Sequence, residues 1–295
     1  MTRKDQNFYL ILLAPAILVL LLFIATPVGQ SFFLSFHRII IGLPQLGTPF
    51  VGWDNYQELL NDPVARHSFW ITVIFVGTTT FFELLIGLLL ALLMHHRFPG
   101  RGALRVCVLI PWAVPTVVSA QMWRFLLNDA YGVVNYAIFG AETIRYIPWL
   151  ALPSTALLSI IIADIWKTSS FAALLILAGL QIIPEQLYQA AEVDGASAWR
   201  RFWHITWPLI RPAILVALVF RTIDAFRVFD LAFVMTQGGP ADATNVLQLY
   251  GYKKMFVEGW MGYGSAISVC IFIIVMVLAI MYVRMVGRRL LEARV

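Results

Sequence analysis

The sequence predicts an all-α integral membrane protein with six transmembrane helices. Its composition is too apolar for a soluble domain: 60% of the 295 residues are hydrophobic and 13% are charged, whereas soluble domains carry about 25% charged residues. The mean hydropathy is +0.81. Six apolar stretches reach the roughly 20 residues that a helix needs to cross the hydrocarbon core. The alternation of polar and apolar residues that is typical of strands is not evident.

The six predicted spans differ in the charges that they contain. The first carries no formal charge and the second carries only Glu83, whereas Pro111 and Pro115 interrupt the third and are expected to kink it. Most of the intramembrane charge lies in the fourth and fifth spans, and the sixth is uncharged up to Arg284. The predicted spans, within one transmembrane domain that covers 1–295, are 8–36, 69–94, 106–127, 153–180, 209–235 and 264–285.

Lysine and arginine are distributed unequally between the two sides of the predicted membrane. One side holds Arg3, Lys4, Arg97, Arg101, Arg105, Arg200, Arg201, Arg211, Arg284, Arg288, Arg289 and Arg294. The other side holds Arg38, Arg66, Arg145, Lys253 and Lys254. The positive-inside rule therefore predicts that both termini and the 184–208 loop are cytoplasmic. Because topology explains the net charge of +5, we expect no nucleic-acid partner.

The segment 184–208 is the longest charged interruption in the second half of the chain, and its pattern predicts two short helices around a bend. Its first residue is a proline, which suits the first turn of a helix. Asp194 and Gly195 end that helix, because glycine tolerates the left-handed conformation that a helix end requires. A second amphipathic helix, 197–207, is expected to follow, with Pro208 opening the fifth span. From the residues alone, a docking surface and an interfacial amphipathic loop fit this pattern equally well.

The run QAAEVDGA at 189–196, followed by Phe202, Ile205 and Pro208, resembles the "EAA…DGA…F…I…LP" loop of ABC-importer permeases. In that family the loop forms coupling helices that sit in a cleft of the cytoplasmic ATPase. The resemblance implies a type I ABC-importer transmembrane domain. Gln189 stands where the motif has its first Glu. This difference affects any ion pair that the family would make through that Glu, but not the docking of the loop itself. The ATPase-coupling residues that it implies are Gln189, Ala190, Ala191, Asp194, Gly195, Ala196 and Phe202.

Ionisable side chains inside the hydrocarbon cost several kcal/mol, so we expect them to face a cavity or a partner. Two helical faces collect such residues, one with Asp164, Lys167, Thr168 and Phe171 and the other with Arg221, Asp224, Ala225 and Val228. At 1.5 Å per residue, both faces lie about 16–28 Å along their helices, near the middle of the membrane.

Two interpretations of these faces remain open. They form a midplane binding site, in which charged groups and an aromatic platform bind a polyhydroxylated ligand. Alternatively, Asp164 with Lys167 and Arg221 with Asp224 are local ion pairs that only neutralise each other. Glu83, alone in its span, faces either a helix partner or the cavity.

A further resemblance, to maltose-type permeases, extends from about Phe8 to Arg284 and includes the Gly-Gly-Pro turn at 238–240. In those permeases the corresponding helix faces contact the sugar, which implies that the eight residues above bind substrate. The chain is thus expected to be a permease subunit of an ATP-driven ABC importer that translocates a di- or oligosaccharide such as trehalose or maltose. This chain carries more charge at these positions than the family often does, so the identity of the sugar does not carry over.

The resemblance also implies partners: a second homologous permease, two copies of a cytoplasmic ATPase, an external sugar-binding protein and the lipid of a bacterial cytoplasmic (inner) membrane. The chain has no Gly-x-x-x-x-Gly-Lys-Ser/Thr phosphate loop, so we expect ATP and Mg to be used only by the partner ATPase. The chain itself is expected to be non-catalytic, without cofactor or metal. The alternative is a self-sufficient ion-coupled carrier in which Asp164, Asp224 or Glu83 relays protons.

Overall fold

A computed structural model describes residues 3–43, 45 and 47–292, with side chains for 12–43, 45 and 47–284. Arg294, which contributed to the charge distribution, lies outside the described residues. The helices are α1 (Arg3–Leu20), a π-helical turn (Leu21–Ala25), α2 (Thr26–Ser35), α3 (Asp54–Asn61), α4 (Pro63–His95), α5 (Arg101–Ala113), α6 (Thr116–Leu126), α7 (Val133–Phe139), a 3-10 turn (Thr143–Arg145), α8 (Pro153–Gln181), α9 (Glu185–Val193), α10 (Ala198–Arg201), a π-helical turn (Phe202–Thr206), α11 (Trp207–Ala225), α12 (Asp230–Met235), α13 (Leu247–Tyr252), a π-helical turn (Lys253–Val257) and α14 (Met261–Glu292). The only β-structure in this described part is two isolated bridges.

Five helical segments of the described chain are long and apolar enough to cross a membrane. They are Leu12–Ser35, Pro63–His95, Pro153–Gln181, Ala198–Ala225 and Met261–Arg284. The short helices α5 and α6 meet at 93° and make a sixth span if the bent pair is counted as one. The predicted all-α membrane class is confirmed, and the kink expected from Pro111 and Pro115 is a sharp bend between two helices.

Two predicted boundaries are wrong. The fifth span, expected over 209–235, is interrupted, because α11 ends at Ala225 and α12 begins at Asp230. Hydropathy along the chain cannot distinguish a continuous span from one that is broken where it lines a cavity. The helix expected over 197–207 is not separate from this span, since α10 continues through a π-helical turn into α11. Pro208 causes no break because it falls in the first turn of α11, after the wider π turn.

The chain packs as two compact units, of which the first consists of Met1–Arg66 and Tyr250–Ile273. Asp62 joins several of its elements. Its Oδ2 accepts hydrogen bonds from the hydroxyls of Tyr250 and Tyr263, the latter at 2.7 Å, and its Oδ1 accepts one from the backbone of the first turn of α4 at 2.8 Å. Burial raises the pKa of Asp62, but these hydrogen bonds to the ionised carboxylate outweigh burial and lower it below its ordinary value.

The second unit, His67–Leu249 with Ile274–Val295, is built around α8, which packs against α5, α6, α11 and α12. Small residues let these helices approach closely. A Cβ added at Gly179 of α8 would overlap with the side chain of Ala213 on α11, and one at Gly87 of α4 would lie 2.8 Å from α8. The buried core of this unit includes Ala91, Met94, Ala173, Ile176, Leu180 and Ile210.

Candidate functional site

A cavity of about 730 Å³ lies in the second unit where α5, α6, α8 and α11 converge. All eight residues predicted for the midplane site line it: Asp164, Lys167, Thr168, Phe171, Arg221, Asp224, Ala225 and Val228. Val228 does so from beyond the end of α11, not from the helical face on which it was expected. Both interrupted spans break at this cavity, one at Val114-Pro115 and the other after Ala225. Discontinuous helices that expose backbone at membrane depth are typical of transport sites.

Arg221 lies at the centre of the charged groups and is only 2% exposed. Its Nε donates to Glu83 Oε2 at 2.6 Å and its Nη2 to Glu83 Oε1 at 2.9 Å, so guanidinium and carboxylate pair through two parallel bonds. Its Nη1 donates to Asp224 Oδ2 at 2.7 Å, and its Nη2 reaches Asp164 Oδ2 at 3.4 Å. One buried arginine therefore ties α4, α8 and α11 together.

Glu83, whose role the sequence left open, is completely buried behind the cavity wall. Besides its two bonds from Arg221, its Oε1 lies 2.5 Å from the hydroxyl of Thr168, which is also 2.6 Å from the carbonyl oxygen of Asp164. A lone carboxylate in an apolar span was the sequence signal for this role, because such a group is stable there only with a partner. The identity of the partner could not be read from the sequence.

Among the described side chains, Lys167 makes no ion pair with Asp164, which corrects the interpretation of two local ion pairs. Its Nζ donates to the carbonyl oxygens of Val114 and Trp112, the second at 3.4 Å. Both carbonyls lie at the bend between α5 and α6, where the helix ends and Pro115 has no N–H to offer. Lys167, on a neighbouring helix, thereby supplies a donor to the carbonyl groups that the bend leaves without one. The predicted pair of Arg221 with Asp224 is present, as one part of the larger cluster.

An aromatic surface forms another part of the wall. The rings of Trp112 and Phe171 are stacked, with centroids 5.8 Å apart and planes inclined at 21°. Phe220 approaches Phe171 edge to face at 6.3 Å. Neither Trp112 nor Phe220 was predicted, because an aromatic residue inside an apolar span carries no distinguishing signal in sequence.

The side chains that are exposed to a ligand in the cavity differ from the buried side chains that stabilise its wall. The side chains of Asp224 and Arg227 are 60% and 63% exposed, and their charged atoms lie 3.7 Å apart. Arg221 and Lys167 are buried and already hydrogen-bonded. The accessible surface thus combines carboxylate acceptors, guanidinium donors and an aromatic face, which are the groups that suit a polyhydroxylated ligand.

The segment predicted for coupling forms an exposed elbow, defined here as α9, the bend at 194–197 and α10. Gly195 has φ of +74°, and the Ala196 N–H donates to the Ala191 carbonyl at 2.8 Å, which is a glycine-based helix end. Val193 is 89% exposed at the tip. The predicted coupling residues all lie on the elbow or on the turn that follows it: Gln189, Ala190, Ala191, Asp194, Gly195, Ala196 and Phe202.

Three polar contacts connect α9 of the elbow to neighbouring helices. Arg97, just beyond α4, donates to Glu185 at 3.0 Å, and Arg201 donates to Glu192. The hydroxyl of Tyr188 lies 2.9 Å from that of Thr206. As for metals, no group of three or more His, Cys, Asp or Glu in the described part of the chain is placed to hold an ion.

Residues 83–295 match the family described as binding-protein-dependent transport system inner membrane component. The chain belongs to this family. It is a permease subunit of the ABC-importer class, which favours the importer over the ion-coupled carrier. The permease is accordingly a transport component of the inner membrane.

Characterised relatives cover nearly the whole permease. It is 44% identical over 288 residues to the trehalose/maltose transport system permease protein MalF of Thermococcus litoralis, which covers 97% of this chain and 95% of the relative. It is 40% identical to the sulfoquinovosyl glycerol transport system permease protein SmoG of Agrobacterium fabrum, over 96% of this chain and 91% of that one. It is 38% identical to the trehalose transport system permease protein SugA of Mycobacterium tuberculosis, over 96% and 90%.

Solved structures show the same fold. A chain of a bacterial ABC transporter that imports the acidic polysaccharide alginate superposes with a TM-score of 0.83 at 24% identity, covering 97% of the permease and 96% of that chain. A chain of the MetNI methionine ABC transporter gives 0.56 at 18% identity, over 80% and 98%. The architecture described above is therefore that of an ABC-importer transmembrane domain.

Proposed function

We propose that the permease translocates a di- or oligosaccharide, such as trehalose or maltose, and that the cavity around Arg221 is its midplane binding site. The observation that carries the proposal is the convergence of the eight predicted residues on one cavity at two helix breaks. The names of two relatives, at 44% and 38% identity, support the class of substrate. In this site Asp224 and Arg227 would hydrogen-bond the sugar hydroxyls, and Phe171 with Trp112 would stack against the ring.

The partners belong to the same proposal. A second homologous permease would complete the translocation path, and two copies of a cytoplasmic ATPase would bind ATP and Mg and dock on the elbow. An external sugar-binding protein would deliver the substrate, as a solved alginate transporter with its bound periplasmic protein illustrates for that system. Both termini and the elbow would face the cytoplasm, in agreement with the distribution of Lys and Arg.

The mechanism follows from the helix that connects the elbow to the cavity. The chain is continuously helical from Ala198 to Ala225, so a displacement of the elbow would be transmitted along α11 to Arg221. Between Trp207 and Arg221 this path is about 21 Å long at 1.5 Å per residue. Closure of the ATPase pair would move the elbow, and α11 would then change the exposure of the cavity between the two sides.

ATP-dependent uptake tests the proposal. The permease would be reconstituted with its partner permease, ATPase and binding protein, and uptake of labelled trehalose, maltose and sulfoquinovosyl glycerol would be compared. We expect uptake of trehalose or maltose, with Asp224→Asn and Phe171→Ala each lowering it at least tenfold if each contact contributes about 1.4 kcal/mol. The matched control is Asp129→Asn, an acidic residue outside this cavity.

Two outcomes would contradict the proposal. If only sulfoquinovosyl glycerol is taken up, the proposed substrate class of trehalose or maltose is wrong, but the assignment as an importer still holds. Uptake by the purified permease under a pH gradient without ATP would support the ion-coupled carrier instead.

A further inference from the structure

A second cavity, of about 960 Å³, lies between the ends of the spans and the elbow, and it is separate from the proposed sugar site. It is lined by the last turns of α4 and α8, the first turns of α5, and the elbow with its following π turn. Its distinctive feature is four arginines, and we call it the arginine pocket: Arg97, Arg101, Arg105 and Arg201. Of these, Arg101 and Arg105 lie on α5, which contains none of the residues assigned to coupling.

The arginine pocket has an excess of positive charge. Its lining contains four guanidinium groups but only two carboxylates, those of Glu185 and Glu192. Each carboxylate is already paired, Glu185 with Arg97 and Glu192 with Arg201. Arg101 and Arg105 therefore have no acidic partner among the described side chains, and both donate only to backbone carbonyls at the end of α4.

The hydrogen-bonding capacity of these arginines is largely unused. A guanidinium has five N–H groups. Within the described chain, Arg101 donates one bond, at 3.5 Å to the His95 carbonyl, and Arg105 donates one, at 3.1 Å to the Met94 carbonyl. The Nε of Arg105 is buried without an acceptor. Leaving a buried donor unpaired costs free energy, so an anion bound in the arginine pocket would be stabilised by accepting from these groups.

Three tryptophans form a ladder beside the arginine pocket. The rings of Trp199 and Trp203 lie 5.6 Å apart and those of Trp203 and Trp207 5.7 Å apart, along one side of α10 and the start of α11. Phe202, which lines the pocket, contacts this ladder, with its ring 6.3 Å from that of Trp207. Tryptophans concentrate at the level of the lipid headgroups, where their rings are apolar and their N–H groups remain hydrated.

We propose that the arginine pocket binds a phosphate-bearing anion, and that its source is the headgroup of an anionic phospholipid. Planar guanidinium groups bind phosphate oxygens through two bonds at once, and basic pockets between helix ends are suited to such headgroups. Because tryptophans concentrate at the headgroup level, the neighbouring ladder favours a lipid over a free solute. A bound headgroup would join α5 to the elbow. The proposal does not depend on which sugar is transported, nor on the midplane site.

Lipid retention by the detergent-solubilised permease tests this inference. Native mass spectrometry would compare phosphatidylglycerol with phosphatidylcholine on the wild type, on Arg101→Gln and on the double variant Arg101→Gln/Arg105→Gln. We expect phosphatidylglycerol to be retained in preference, and each variant to weaken its binding by about tenfold or more, because charge-assisted pairs to phosphate are lost. Arg101→Lys keeps the charge without the fork and should recover part of the binding.

Arg145→Gln is the matched control, because Arg145 is an exposed arginine that pairs with Glu142 outside the arginine pocket, and we expect it to retain phosphatidylglycerol like the wild type. Inorganic phosphate is added as a competitor to distinguish the two sources. If phosphate alone displaces phosphatidylglycerol and raises the melting temperature, the anion site stands but its source is a free solute. Equal retention of the two lipids, or wild-type binding by a well-folded Arg101→Gln, would overturn the proposal. Because no transport is measured, neither result bears on the proposed function.

Discussion

The ion pairs in the cavity wall and those at the elbow use the same chemical groups in opposite environments. In the wall, Arg221 and Glu83 are buried and joined by two bonds. At the elbow, Arg97 and Glu185 are 80% and 62% exposed and share one contact. Water screens the second pair but not the first, so equal chemistry gives unequal energies.

The difference assigns the two groups to different tasks. Removing one partner of a buried pair leaves a charge that costs about 3–5 kcal/mol, so the cluster around Arg221 fixes the arrangement of α4, α8 and α11. An exposed pair contributes about 0–1 kcal/mol and can break and reform at little cost. A rigid wall with a loosely tethered elbow is the combination that the proposed coupling movement would require.

The largest effect on stability is expected from the buried ion pair in the cavity wall. Glu83→Gln removes the carboxylate that meets Arg221 through two bonds, and we expect it to destabilise the permease by about 3–5 kcal/mol. The measurement is thermal or denaturant unfolding in detergent. Glu142→Gln, which breaks an exposed pair with Arg145, is the control and should change stability by at most about 1 kcal/mol. Equal stability of the two variants would show that Asp164 and Asp224 suffice to hold Arg221.

A smaller loss is expected from Lys167→Met. It leaves the carbonyl oxygens of Trp112 and Val114 without their donor at the bend, which should cost about 1–3 kcal/mol. Lys254→Met is a useful control, because Lys254 pairs with Glu258 in a partly exposed contact of the first unit. If Lys167→Met is as stable as this control, water replaces the ammonium at the bend and the cavity wall is wetter than the contacts suggest.

At the elbow, Gly195→Ala tests the backbone conformation of the bend, whereas the two preceding variants remove charged side chains. The positive φ of Gly195 disfavours any residue with a Cβ, so we expect a loss of about 1–2 kcal/mol locally and a larger loss of coupled uptake. Gly102→Ala is the control, since a Cβ there meets nothing within 4 Å. Normal uptake at normal expression would argue against a fixed elbow shape in coupling.

The smallest effect is expected from Arg97→Gln, which removes the exposed tether between Glu185 and the end of α4. We expect a change of at most about 1 kcal/mol in stability, and less at high salt because the pair is screened. The measurement is the free energy of unfolding of the wild type and of Arg97→Gln at low and at high ionic strength. A loss as large as that of Glu83→Gln would refute the distinction between a rigid wall and a loosely held elbow.

Several features of the fold and site were predictable because local patterns carry them. The apolar stretches gave the helical membrane class, and Asp194-Gly195 gave the bend, since glycine adopts a positive φ without the steric cost of a Cβ. The charged faces of the fourth and fifth spans gave the eight cavity residues, because ionisable groups in hydrocarbon must face polar surroundings. Their roles in binding remain predictions.

Other features could not be read from the sequence, because they depend on which helices become neighbours. Spacing along one helix suggested that Asp164 pairs with Lys167, yet the ammonium contacts the bend between α5 and α6, more than 50 residues earlier in the chain. The break after Ala225 was missed because apolar residues continue on both sides of it, in α11 and in α12, although the break itself contains Arg227. Trp112 and Phe220 gave no signal until packing placed them beside Phe171.

The sequence by itself determined that the chain crosses a membrane, where its elbow bends and which residues had to avoid lipid, since these depend on transfer energies and backbone conformations within short segments. Only the tertiary structure decided that Arg221 pairs with Glu83, 138 positions away, and that Lys167 holds the bend. The reason is physical: a charge in hydrocarbon demands a partner, and the chain supplies several. Which one is within reach is fixed by the packing of small residues between helices.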